Sequence, residues 1–244
     1  MDEVRNGHAA ITGESAHHLT RVLRVEAGQK YEISDNRRVW LAEVATARKS
    51  MVEFAVIEEL DAGEEPAETT LYLALIKFER FEWAVEKATE LGATRIVPVQ
   101  AQRSERGLEE GARKRVERWR RIAHEASEQS RRLRAPRIDD PVRLSEALDN
   151  SEGRRIWLDE RPGAPPLLRA LSAGPADPVA LAVGPEGGWA DTERERFGAA
   201  GWVGSSLGPA ILRAETAVCA ALAVLAQLRE DRRQPIQSKE SEFR

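Results

Sequence analysis

The sequence predicts an α/β protein in two parts: a short β-rich unit, then a larger unit built on a largely parallel sheet with helices on both faces. Three observations carry this. Up to residue 68, short runs alternate apolar and polar residues; beyond residue 69, continuous apolar runs alternate with amphipathic helical segments; an acidic stretch containing Gly and Pro, without periodicity, lies between them.

In the first part, Lys30–Ser34, Val39–Thr46 and Met51–Glu58 read as strands, because successive side chains on a strand point to opposite faces. Asp35-Asn36-Arg37 and Arg48-Lys49-Ser50 supply turn chemistry between them. Residues 61–68 (DAGEEPAE) read as a linker, which sets domains at 1–68 and 69–244. In the second part, Leu71–Ile76 is an apolar strand, Glu79–Leu91 a helix ended by Gly92, and Arg95–Val99 a second strand. A helix from about Gly111 to Ser130 follows, with Val116, Trp119, Ala123 and Ala126 at helical spacing as its core face. Then come strands Arg155–Leu158 and Pro178–Val183, a helix Asp191–Ala200 with Asp191 as N-cap, a short strand near Val203 and a closing helix Arg213–Arg229.

Composition excludes several classes. With 41% hydrophobic and 32% charged residues in 244, the composition is that of an ordinary globular protein rather than a disordered or membrane one. The longest apolar run, Ala217–Ala226, falls well short of the roughly 20 residues that span a bilayer, and the amino terminus lacks a signal-like apolar core, so a cytoplasmic protein without membrane contact is expected. The lone Cys219 cannot form an internal disulfide, and His8, His17, His18 and His124 show no ligand spacing, so no metal is expected. Net charge is −4, yet Arg103–Arg137 holds 12 Lys/Arg against 6 Asp/Glu, a local +6 that leaves −10 for the rest. Phosphate binding needs such a local stripe rather than a basic protein. The alternative is a solvated helix face laced with pairs such as Glu117 with Arg121.

Two segments, Leu181–Gly188 (LAVGPEGG) and Ser206–Ala217 (SLGPAILRAETA), carry the chemistry. In each an apolar run stops at a Gly/Pro loop, where main-chain N–H and C=O groups can meet a ligand without bulky side chains intervening. There is no GxGxxG and no P-loop lysine, which argues against a phosphate cradle.

Together these loops resemble the two signature loops of the RsmE-type 16S rRNA (uridine N3) methyltransferases of the SPOUT superfamily. The resemblance extends to Lys77, Arg80, Glu82-Trp83 and Lys87-Ala88-Thr89-Glu90-Leu91-Gly92, to Arg103-Ser104, and to Trp119–Ser130 followed by Arg132, Arg134 and Pro136. It implies a SPOUT-type parallel sheet with a C-terminal trefoil knot, preceded by a PUA-like β-barrel that binds RNA. It also implies S-adenosylmethionine as cofactor, 16S rRNA or the small ribosomal subunit as partner, and a homodimer. One departure stands out, since Ala210 occupies a position where the family motif carries Arg. If that side chain meets RNA or the loop carboxylate, its loss weakens the contact or shifts it to Arg213; if it only packs on the surface, nothing changes.

The resemblance and the loop positions give cofactor-binding candidates Leu158, Glu160, Val183, Gly184, Pro185, Glu186, Gly187, Leu207, Gly208, Ile211 and Leu212. Arg213 is the candidate cation for a developing uracil oxyanion, against a salt bridge to Glu186 or Glu215. Glu128 is the candidate general base, against a surface ion pair with Arg132. Glu215 reads as a helix-start carboxylate and Glu186 as a loop-fixing one. Lys77, Arg103, Arg131, Arg132 and Arg134 are the RNA-binding candidates, while Trp83 and Trp119 read as core rather than as stacking platforms. Two other readings remain: another SPOUT activity such as tRNA ribose 2′-O-methylation, and a non-catalytic RNA-binding or ribosome-assembly protein that keeps the fold.

Overall fold

The computed structural model describes residues 4–35, 38–61, 67–149, 151–173 and 178–233. The chain divides into two compact units, Met1–Glu65 with Arg131–Arg134, and Pro66–Ser130 with Ala135–Arg244.

The first unit contains β1 (His8–Thr12), α1 (Gly13–Arg21), β2 (Lys30–Ser34), β3 (Val39–Arg48) and β4 (Met51–Leu60). All pairings are antiparallel, in the order β1-β4-β3-β2, with no pairing between the two outer strands among the described residues. The β3–β4 hairpin closes where Arg48 faces Met51, leaving Lys49-Ser50 as the turn. Alternation buries Trp40, Ala42 and Val44 on β3 against Val52 and Phe54 on β4, with Ala16 of α1 in the same core. The three strands expected from alternation are present, and β1 and α1 are additional to them. Asn36 and Arg37 of the expected turn, and residues 62–66 of the expected linker, lie outside the described residues.

The second unit is built on β5 (Thr69–Ala74), β6 (Arg95–Gln100), β7 (Arg137–Ile138), β8 (Val142–Arg143), β9 (Arg154–Leu158), β10 (Val179–Val183) and β11 (Val203–Ser205). They form one seven-stranded sheet in the order β11-β9-β10-β5-β6-β7, with β8 also on β6, and every pairing is parallel. Its helices are α2 (Phe78–Glu90), α3 (Leu108–Arg113), α4 (Val116–Gln129), α5 (Leu144–Asp149), α6 (Leu167–Ser172), α7 (Asp191–Ala199) and α8 (Ala214–Arg233).

Strand residues alternate between two cores. Leu71, Leu73, Leu181 and Val183 face one layer with Phe81, Trp119, Leu171 and Val218 from α2, α4, α6 and α8. Tyr72, Ala74, Ala180 and Ala182 face the other, with Leu148 of α5 and Phe197 of α7. Both faces are thus covered, which is why these strands read as continuous apolar runs. Burial also pushes the Cys219 thiol up from its ordinary value.

Three expectations need correcting. The long helix from Gly111 is two helices, α3 and α4, separated at Lys114-Arg115. The N-cap of α7 is Ala190, not Asp191, and the cap function falls to Glu193, whose Oε2 accepts the Ala190 N–H at 2.8 Å. Trp119 is fully buried, 4.3 Å from the Phe81 ring, but Trp83 is 44% exposed on the outer side of α2.

Candidate active site

Because β5, β6, β9, β10 and β11 are parallel, their carboxyl ends open on one edge, and the loops that follow them meet there. β10 lies between β5 and β9, so strand order reverses at this point, where open α/β sheets form ligand crevices. Lys77 follows β5, Arg103 follows β6, Glu160 follows β9, Gly184–Gly188 follows β10 and Ser206–Arg213 follows β11.

The loops after β9 and β11 are stitched together through their main chains. Asp159 N–H donates to Ser205 O at 2.8 Å, Ser206 N–H to Pro165 O at 2.8 Å and Leu167 N–H to Ser206 O at 2.9 Å. Ser206 Oγ accepts the Gly208 N–H at 3.1 Å, which fixes the next turn. Between these loops lies a cleft of about 630 Å³, lined by Glu160, Gly163, Leu167, Leu168, Leu207, Gly208 and Val224 among others. Of the cofactor candidates, Glu160, Leu207 and Gly208 line it directly. Leu158 packs on the adjacent core and Val183 is buried within it, whereas Ile211 is 83% exposed and Leu212 lies at the surface beside it.

The Gly184–Gly188 loop is held from three sides. Gly188 N–H donates to Pro185 O at 2.8 Å, closing a turn on Glu186-Gly187. Gly188 sits at φ +66, a conformation that favours glycine, and a Cβ there would lie 3.0 Å from Glu160 Cδ and displace that carboxylate. At Gly187 a Cβ would meet Arg103 Cβ at 3.4 Å, an ordinary contact. Arg103 Nη1 donates to the Gly187 carbonyl at 3.0 Å.

Two arginines hold these loops by charge. Arg194 of α7, 9% exposed, lies 3.2 Å from Asp159 and 2.7 Å from Glu160, donates to the Trp189 carbonyl and sits 5.8 Å from the Trp157 ring centre. Arg80 of α2 is paired with Glu186, and its Nε lies 3.8 Å from Glu215 Oε1. The salt bridge considered for Arg213 is therefore made by Arg80. Arg213 itself is exposed, and its side chain has no ion pair among the described residues. Glu193, 4% exposed, ties α7 to the loop after β6, its Oε1 accepting the Gln102 N–H at 2.7 Å. At the start of the same helix, Arg161 pairs with Asp191 and holds its carboxyl below the ordinary carboxylate range.

The remaining candidates fall elsewhere. Glu128, two-thirds exposed on α4, lies 3.7 Å from His124 on its own helix rather than against Arg132. Glu117 pairs with Arg120, not Arg121. Arg131–Arg134 belongs to the first unit; Arg131 is exposed at φ 55, while Arg132 and Arg134 are half-buried and burial lowers the Arg132 pKa. Sequence reasoning missed Arg194, Glu193 and the role of Arg80. Only Arg80 carried a signal, as part of the segment beginning at Lys77.

The family model of the RNA methyltransferase domain matches residues 63–226, and that of the RNA methyltransferase PUA domain residues 11–57. The chain is 32% identical to the ribosomal RNA small subunit methyltransferase E of Aquifex aeolicus over 224 residues, 91% of this chain and 96% of that protein. It is 33% identical to the protein of the same name from Bacillus subtilis over 226 residues, 88% of each chain. Its fold matches that of the methyltransferase E of Neisseria gonorrhoeae bound to S-adenosyl methionine, at a TM-score of 0.83 and 28% identity over 93% of this chain and 95% of the other. A putative methyltransferase of Legionella pneumophila in complex with the same cofactor gives 0.81 and 30%, over 93% and 94%. With the parallel sheet, the reversal of strand order at β10 and both family models covering their respective units, the chain belongs to the RNA methyltransferase family.

Proposed function

We propose that this protein transfers a methyl group from S-adenosylmethionine to N3 of a uridine in small-subunit rRNA. The observation that carries this reading is the cleft at the carboxyl edge, whose Ser206–Pro209 wall leads within a few residues to Arg213, exposed and without an ion pair among the described residues. The cleft offers apolar walls from Leu167, Leu168, Leu207 and Val224, main chain at Gly163 and Gly208, and the Glu160 carboxylate. That donor set suits a nucleoside with a cationic amino-acid tail: apolar walls for the base, main-chain groups for its polar edge, a carboxylate for positive charge. When bound there, the cofactor supplies an electrophilic methyl on a sulfonium. The knotted threading implied by the sequence resemblance belongs to the C-terminal part of this unit.

The chain's own residues then position the reactants and manage charge. Uracil N3 carries a proton and attacks only once it is lost, which leaves negative charge on the ring oxygens. Arg213, exposed shortly after the cleft-lining Ser206–Pro209 segment and without an ion pair among the described residues, is the group assigned to stabilise that charge. The proton passes to solvent or to Glu128, whose carboxylate is accessible at the end of α4. Lys77 is exposed at the end of β5 and is assigned to RNA phosphate together with Arg103 and Arg131. We further propose a homodimer acting in the cytoplasm, consistent with the apolar surface left at Trp83 and Ile211.

The test is in vitro methylation of 16S rRNA and of assembled small subunits by the purified protein, with nucleosides read by mass spectrometry. N3-methyluridine is expected. A ribose-methylated nucleoside instead would replace the assignment, and cofactor binding without any transfer would favour a non-catalytic role.

A further inference from the structure

Arg80 faces carboxylates from two separate segments at the carboxyl edge, the loop after β10 and the first turn of α8. Its helix is fixed by Phe81, Ala84, Val85 and Ala88, all fully buried, so the guanidinium projects from a rigid base. It pairs with Glu186 in the middle of the loop after β10 and lies 3.8 Å from Glu215 in the first turn of α8. The two carboxylates differ. Glu186 is 45% exposed, so water screens its pairing with Arg80. The Glu215 side chain is 12% exposed and its Oε2 has no hydrogen-bond partner among the described residues, so its charge depends on a nearby cation. No other guanidinium takes that place, because position 210 is Ala and Arg213 makes no ion pair among the described residues.

We propose that Arg80 is a positioning residue, the shared counter-ion that fixes the Gly184–Gly188 loop to the start of α8 and thereby sets cofactor affinity. The proposal rests on the methyl-transfer reading above. A loop fixed before the ligand arrives loses less conformational freedom on binding, so the effect belongs in affinity and not in the chemical step.

The experiment is titration calorimetry with S-adenosylmethionine, and single-turnover methylation at saturating cofactor, on the full chain. Arg80→Ala should weaken binding by about tenfold or more while the single-turnover rate stays within about threefold, the size expected for removing one member of a coupled charge network. Arg80→Lys should keep most of the affinity. The double variant Arg80→Ala/Glu186→Ala should bind no worse than the weaker single, because the two act through each other. Additive losses, or a rate collapse at unchanged affinity, would overturn the proposal. Where Arg80→Ala fails to fold, Arg80→Lys with Glu186→Gln carries the test: Lys retaining affinity and Gln losing it supports the role, and the reverse sinks it. A wild-type chain that binds no S-adenosylmethionine would instead remove the methyl-transfer reading on which all this rests.

Discussion

Arg103 Nη1 donates to the carbonyl of Gly187 at 3.0 Å, so a side chain from the loop after β6 grips the main chain of the loop after β10. The residue has two tasks in this account, since its guanidinium also faces outward where RNA would pass. Arg103→Ala should weaken S-adenosylmethionine binding about threefold to tenfold, as loss of one solvent-exposed hydrogen bond would. It should also lower RNA affinity. Calorimetry on each ligand separates the two, and unchanged cofactor affinity would leave only the RNA role.

Gly188 is the glycine of this loop whose backbone favours having no side chain. At φ +66, a side chain costs about 1–2 kcal/mol in the backbone alone, before its contact with Glu160 is counted. Gly188→Ala should therefore lose most cofactor binding, while Gly187→Ala, whose Cβ meets only Arg103, should keep the fold and bind measurably. A valine at 187 is expected to abolish binding by filling space beside the ligand. If Gly188→Ala binds normally, the loop does not border the site.

Arg213→Ala should lower kcat by about 10²-fold with little change in cofactor affinity, by analogy with other deletions of a group that meets developing charge. Arg213→Lys should recover only part, because a point charge does not reproduce the planar fork. A collapse of affinity with near-normal single-turnover chemistry would move Arg213 to a binding role.

The arginine run should divide by burial. Arg131 is exposed, and Arg131→Ala should make the slope of log K for RNA against log salt shallower by about 1. Arg132 is half-buried with its pKa lowered, so Arg132→Ala should also change stability, read as a shift in urea midpoint. An unchanged salt slope in the triple variant of Arg131, Arg132 and Arg134 would make the run a solvated face.

Asp191 gives a pH signature. Its pairing with Arg161 depresses the folded-state pKa, so its contribution to stability is present above the unfolded value and is lost as pH falls through the folded one. The difference in melting temperature between wild type and Asp191→Asn should be full above about pH 5 and vanish in strong acid. A constant difference across that range would show that the pair does not act in solution.

The sequence by itself determined the periodic parts of this protein and the identity of its loops. Apolar runs such as Leu71–Ile76 mark strands because both faces of the sheet are covered, and Val116, Trp119, Ala123 and Ala126 mark the core side of α4 because helical spacing repeats locally. The two Gly/Pro loops were legible for the same reason: their chemistry is written in adjacent residues. Only the tertiary structure decided which charges meet. Arg80 and Glu186 are 106 residues apart, and they pair because β10 inserts beside β5, a strand order that no local pattern encodes. The same holds for Glu193, which caps α7 in place of the expected Asp191 while reaching Gln102, 91 residues away. Trp83 was misassigned because an amphipathic pattern gives the direction of a face but not whether another element covers it.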